Sequence, residues 1–141
     1  MIYILDTDHV SLFLQSNQAI VSRVALVAPN LAVTIITVQE AFNGWVVKIN
    51  ARSESENLVR LYTQLWTTQE FFKGVRILNF NTTAYNCYDR LLKEYPQLNK
   101  KRLYKDLRIA SIALSVNAVM VTRNQKDFSQ IPDLRLEDWT Q

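Results

Sequence analysis

Short apolar runs ended by polar or turn-forming residues alternate along this chain with longer stretches of helical periodicity. Ile2 to Leu5 is the first such run, bounded by Asp6-Thr7-Asp8. Its length predicts a strand buried in a parallel sheet, with Asp6 at the carboxyl end. Val10, Leu12, Phe13 and Leu14 predict a short helix closed by Asn17, and Ala19 to Ala28 a second one ended by Pro29-Asn30. Leu31 to Ile36 is rich in β-branched residues and predicts a second strand. Thr37-Val38-Gln39-Glu40 then opens a long helix running to about Ala51. From Glu54 to Phe72, Leu58, Leu61, Tyr62, Leu65 and Trp66 recur at spacings of three and four. That is an amphipathic helix packed antiparallel to its predecessor, with Gly74 as its expected carboxyl cap.

Val75 to Phe80 predicts a third strand, and Asn81 or Thr82 caps a helix that must end before Pro96. A basic loop follows. Asp106 to Asn117 predicts a compact helix whose small residues allow close packing on a sheet, and Ala118 to Thr122 a fourth strand. Leu134-Arg135-Leu136 adds a short edge strand. Strands separated by helices imply right-handed crossovers. The expected fold class is α/β, with three layers, a mostly parallel central sheet and helices on both faces. No repeat or linker interrupts the pattern, so residues 1–141 are read as one domain.

Composition narrows this picture modestly. Hydrophobic residues make up 48% of the 141 positions, enough for a core without crosslinks, and the single cysteine, Cys87, is expected to be a buried thiol. Met1 to Leu5 runs into Asp6 without a basic leader, and no apolar stretch approaches the ~18 residues of a membrane span. The cytoplasm is therefore the expected location. The two glycines exclude a Gly-rich phosphate loop, and with it a nucleotide cofactor of that kind. A net charge of +3 is compatible with a polyanionic partner. Its distribution says more: Lys93, Lys100, Lys101, Arg102, Lys105 and Arg108 crowd into a stretch that also holds Asp106.

The carboxyl ends of parallel strands are where such folds bind ligands. Asp6 follows the first strand, Glu40 lies one helical turn after the second, Asp106 starts the helix feeding the fourth, and Asn124 and Asp127 follow that strand. Gathered carboxylates repel one another unless protons or a cation neutralise them. Oxygen donors without His or Cys suit Mg²⁺ or Mn²⁺ rather than zinc, and the sole histidine, His9, lacks the partners of a zinc site. Such an ion activates water and neutralises phosphate, which points to phosphodiester hydrolysis. Ser11 and Thr122 are read as orienters of the acids or of phosphate. Lys100, Lys101, Arg102, Lys105 and Arg108 are read as phosphate contacts.

The stretches Tyr3-Ile4-Leu5-Asp6-Thr7-Asp8-His9-Val10-Ser11, Thr37-Val38-Gln39-Glu40, Asp106-Leu107-Arg108-Ile109-Ala110 and Val121-Thr122-Arg123-Asn124-Gln125-Lys126-Asp127-Phe128 resemble the signature segments of PIN-domain nucleases. The closing Ile131 to Trp139 is similar to the end of VapC-type toxins. The resemblance runs nearly end to end. It implies that Asp6, Glu40 and Asp106 surround one or two Mg²⁺ or Mn²⁺ ions, and that the Asn124 to Asp127 turn supplies a fourth acid. Here the chain departs from the family pattern, because Asn124 stands where some members carry Asp. Either Asn124 is a neutral substitute or Asp127 supplies the charge; the expectation is Asn124 as a hydrogen-bonding orienter and Asp127 as a water-mediated contributor. The resemblance further implies an endoribonuclease, an antitoxin partner and a homodimer.

Blander roles compete for the same residues. Asp6 can begin a turn, Thr37 and Glu40 can form a capping box, and Asp106 can cap a helix. Asp8, Asp133 and Asp138 read as turn or surface charges, Asp89 and Glu94 as a solvated helix face. Trp45, Tyr62, Trp66, Phe71 and Phe72 are expected in core and helix–helix contact, with an apolar groove beside them where an antitoxin helix would dock. Two other functions fit the same chain: a PIN nuclease of RNA maturation, and a degenerate PIN domain that binds RNA or protein. A phosphoacceptor signalling domain is excluded by the absence of an acid and a lysine after the middle and last strands.

Overall fold

The computed structural model describes residues 1–51 and 57–141. Its strands are β1 (Tyr3–Leu5), β2 (Leu31–Thr34), β3 (Arg76–Leu78), β4 (Val119–Val121) and β5 (Arg135–Glu137), in the spatial order β3-β2-β1-β4-β5. All four pairings are parallel, including that of β5, so the sheet is wholly rather than mostly parallel. The helices are α1 (Thr7–Leu14), α2 (Gln18–Val27), α3 (Ile35–Asn50), α4 (Leu58–Gly74), α5 (Thr82–Glu94), α6 (Tyr104–Ser115) and the short α7 (Gln125–Phe128).

Alternation along the strands builds two cores. Ile4, Ala32 and Met120 face one side, where α5 and α6 bring Leu91, Leu107, Ile109, Ala110 and Ala113. Leu5, Val33, Val119 and Val121 face the other, where Val10, Ile20, Val24 and Phe72 pack from α1, α2 and α4. Helices therefore cover both faces in three layers, and every central strand is apolar on both sides, as a parallel sheet requires. From β1 the chain builds outward to β2 and β3, then returns to lay β4 on the opposite side of β1. Strand order reverses at that seam, and beyond the carboxyl ends at such a reversal, here those of β1 and β4, parallel sheets form their ligand crevice.

Several element boundaries differ from the sequence reading, each for a local reason. Asn17 does not close α1; its side chain accepts from the Ile20 amide and caps α2, while Ser16 before it takes a left-handed φ of 61°. The second strand stops at Thr34, whose hydroxyl accepts from the Thr37 amide and starts α3. Ile35 and Ile36 are thus helical, and Thr37 with Glu40 is not a capping box. Helix α6 begins at Tyr104, so Asp106 lies inside its first turn rather than capping it. Gly74 has no left-handed φ and does not act as an αL cap. Asn81 is the cap of α5, accepting from the Ala84 amide at 3.0 Å. The predicted start of α4 at Glu54 lies outside the described residues. Trp45 donates to the Thr68 hydroxyl and ties α3 to α4, but Tyr62 and Trp66 are more than half exposed rather than packed. Cys87 is half-buried.

Candidate active site

Asp6 extends β1 by one bond, its amide donating to the Val121 carbonyl of β4, and then caps α1 by accepting from the Thr7 amide at 2.9 Å. Its second oxygen accepts from the Thr122 hydroxyl at 2.8 Å. Asp6 as a whole is 8% exposed. Burial and then the neighbouring Asp8 charge push it up to about 7, with Asp106 adding to the rise and the Thr122 and Thr7 bonds opposing it. Asp106, half-buried on the first turn of α6, is pushed up to about 6, first by burial and then by Asp127 and Glu40, against the pull of Lys105 and Arg102. Two carboxyl groups at the β1/β4 seam thus hold their negative charge at a cost to the fold.

The remaining polar groups bind these acids together. Asn124 donates from Nδ2 to Asp106 at 3.3 Å and to Asp127 at 3.2 Å, and its amide donates to the Thr122 hydroxyl at 3.0 Å. Asp127 pairs with Arg102 at 2.7 Å, which holds its carboxyl below the usual range. Glu40 accepts from the Thr7 hydroxyl at 2.8 Å and pairs with Lys105 at 2.7 Å, a contact that raises the lysine. Ser11 lines the groove that runs past Thr7 and Glu40 between α1, α3 and α4. Lys100 and Lys101 are exposed beside Arg102. Arg108 does not join the group: its guanidinium lies 5.9 Å from the ring centroid of Tyr88 on α5. Residues 106 and 108 are about 200° apart around a helix, so one cannot face the crevice when the other does.

Sequence reasoning missed three members. Thr7 links Asp6 to Glu40. Asp8, read as a surface charge, accepts from the Arg123 amide at 3.1 Å and lies beside Thr122. His9, set aside for want of zinc partners, is wholly buried against Asp8. The available signal was the Asp6-Thr7-Asp8-His9 order itself, an acid doubled within one turn and followed by the chain's single histidine.

Among the described residues no three His, Cys, Asp or Glu side chains close into a ready-made metal cage. Of the four acids read from the sequence, Glu40 is turned to Lys105 and Asp127 to Arg102, leaving Asp6 and Asp106 without an ion pair among the described residues. Their donor set is all oxygen, and their raised affinity for protons is the affinity a hard divalent cation exploits.

Fold and site together define a PIN-type α/β nuclease domain. No protein-family model matches the chain. It is 31% identical over 143 residues to Ribonuclease VapC1 of Haemophilus influenzae (strain R2866), covering 99% of both chains. The structure of VapBC-1 from nontypeable Haemophilus influenzae superposes with a TM-score of 0.78 at 29% identity over 100% of both chains. That of VapBC2 from Rickettsia felis, bound to a DNA fragment from its promoter, gives 0.77 at 29% identity over 99% of both. The chain belongs to the VapC family of ribonucleases.

Proposed function

We propose that the protein is a Mg²⁺- or Mn²⁺-dependent endoribonuclease acting as a toxin, and that a cognate antitoxin neutralises it. The observation that carries this reading is the placing of two proton-hungry carboxyl groups, buried Asp6 and half-buried Asp106, at the switch point of a parallel sheet. Asp6, Asp106 and Glu40 would hold the ion, with Asn124 orienting Asp106 and Asp127 contributing through water. When bound, the cation supplies a Lewis acid for the phosphate and an activated water. Thr7 and Thr122 fix the two Asp6 oxygens, while Lys100 and Lys101 would offer phosphate contacts. Lys105 has a second role: it neutralises Glu40, whose charge a bound cation would otherwise balance.

The antitoxin belongs to this reading on two grounds. Relatives of similar length are found in VapBC complexes. In this chain a groove of about 420 Å³ passes from Ser11 and Glu40 to Trp45 and Thr68, and another face of α4 carries an exposed apolar strip of Leu58, Val59, Tyr62 and Trp66. A homodimer and a cytoplasmic location accompany the proposal; among the described residues no single helix is long and apolar enough to cross a membrane.

The test is incubation of the purified protein with total RNA, with and without Mg²⁺, followed by sequencing of new ends. Discrete Mg²⁺-dependent cuts are expected from the wild type. Asp6→Asn and Asp106→Asn should each remove them, with a loss of ~10²-fold or more, while remaining folded. A folded Asp6→Asn that cuts at the wild-type rate would place the chemistry elsewhere.

A further inference from the structure

His9 is a wholly buried titratable side chain near the crevice that the proposed chemistry does not use. Its ring is wholly buried beside Trp139, with centroids 6.4 Å apart in an edge-to-face arrangement, between the carboxyl groups of Asp8 on the Nδ1 side and of Asp138, 3.6 Å from Nε2, on the other. A polar ring is kept in such a place only when its nitrogens are satisfied. Both are. Nε2 lies 3.2 Å from the Trp139 amide, a group that can only donate, so Nε2 accepts and the proton sits on Nδ1. Nδ1–H then donates to Asp8 Oδ1 at 2.8 Å. A neutral imidazole presents a donor at one end and an acceptor at the other, which no apolar residue of that size can do.

The chain of contacts continues past Asp8. Its other oxygen accepts from the Arg123 amide at 3.1 Å and lies 3.4 Å from the Thr122 hydroxyl. Thr122 and Asn124 flank Arg123, and they carry the bonds to Asp6 and to Asp106 respectively. Fixing Asp8 therefore fixes the turn after β4 from which both acids are oriented. We propose that His9 is a positioning residue of the ribonuclease site: through Asp8 it sets the Thr122–Asn124 turn, and thereby the aim of Asp6 and Asp106. This rests on the reading of those two acids as the catalytic pair. Groups that orient the ligands of a reactive centre are worth about 10–100-fold in function when removed.

Two substitutions separate positioning from mere packing. His9→Asn keeps an amide donor near the Nδ1 place for Asp8 but does not reach Trp139. His9→Gln reaches the Trp139 amide but offers nothing at the Nδ1 place. Both should lower the melting temperature. On a fixed RNA at saturating Mg²⁺, His9→Gln should lose about tenfold in kcat with KM unchanged. His9→Asn should recover most of that loss whatever the order of their stabilities. Asp8→Ala should lose as much as His9→Gln, and the double variant no more than Asp8→Ala alone. In metal-free protein the Arg123 amide resonance should move in His9→Gln and Asp8→Ala and stay near its wild-type position in His9→Asn. Equal kcat in the two His9 variants, or activity that follows folded fraction alone, overturns the proposal. Should the His9 variants fail to fold, Asp8→Ala decides, since unchanged kcat there overturns it equally. Asp6→Asn measured alongside keeps the two readings apart: if it is active the catalytic pair is wrong, and if it is inactive while folded His9→Gln is fully active, only the role of His9 is wrong.

Discussion

Asp6 and Asp106 ionise at the expense of the fold. An unfolded aspartate gives up its proton near 3.8, whereas burial and neighbouring negative charge hold Asp6 to about 7 and Asp106 to about 6. Between those values the folded chain binds more protons than the unfolded one, so its stability falls as pH rises from about 4 to about 7. The contribution is fully lost only above the folded values. Metal-free protein in chelator should accordingly melt at a lower temperature at pH 8 than at pH 5.5, and Asp6→Asn should both flatten that trend and raise the melting temperature at pH 8. Thermal melts across that range check it; an undiminished slope in Asp6→Asn would mean that its carboxyl is not the strained group. Bound cation reverses the balance, because it takes the place of the proton. Adding Mg²⁺ should then stabilise the wild type most at high pH.

At the scale of elements, the central strands β1, β2 and β4 are legible because each is a short apolar run that meets a polar residue at its carboxyl end, and that same break marks Asp6 and Thr122 as residues of the crevice. The β2/α3 boundary is not, since Ile35 and Ile36 carry the β-branched signature of a strand while the Thr34 hydroxyl makes them the first turn of a helix. A local cap here outweighs propensity, which is a weak prior. The pairings Glu40–Lys105, Asp127–Arg102 and Asp8–Arg123 join segments far apart in sequence and leave no periodic trace, so no reading of spacing would find them. The four acids could be gathered by topology alone; which of them keeps a free charge could not. Caps, by contrast, are local, and Asn81 shows their weight. Asn81→Ala should remove the bond to the Ala84 amide at a cost of ~1 kcal/mol, lowering the melting temperature by about 3–4 °C. Cleavage per folded molecule should stay unchanged, because α5 reaches the crevice only through the core it shares with α6. A melt and a single-turnover assay on the same sample measure both; an unshifted melting temperature would mean that water replaces the cap without loss.

Across the whole molecule, an exposed basic stretch stands beside an acidic crevice, and on the proposed function that stretch is what would draw RNA to the surface. The basic stretch is not uniform in this respect. Lys100 and Lys101 are exposed and have no acidic partner among the described contacts, whereas Arg102 is engaged by Asp127, Lys105 by Glu40, and Arg108 turns to Tyr88. Only cations free to displace counterions from RNA contribute to the salt dependence of binding, at about 0.7 in log–log slope for each contact on a single strand. Replacing Lys100 and Lys101 together with alanine should therefore flatten that slope by up to about 1.4 and weaken binding at low salt, leaving the Mg²⁺ requirement for cleavage in place. Arg102→Ala should do the opposite: it releases Asp127 next to Asn124, so the slope changes little while less Mg²⁺ suffices for half-maximal cleavage. Binding measured from low to moderate salt in Ca²⁺, and cleavage titrated with Mg²⁺, resolve the two effects. A slope that falls equally for Arg102→Ala and for the lysine pair would mean that the Arg102–Asp127 contact opens when RNA arrives, and that the basic stretch acts as one surface rather than as free and engaged parts.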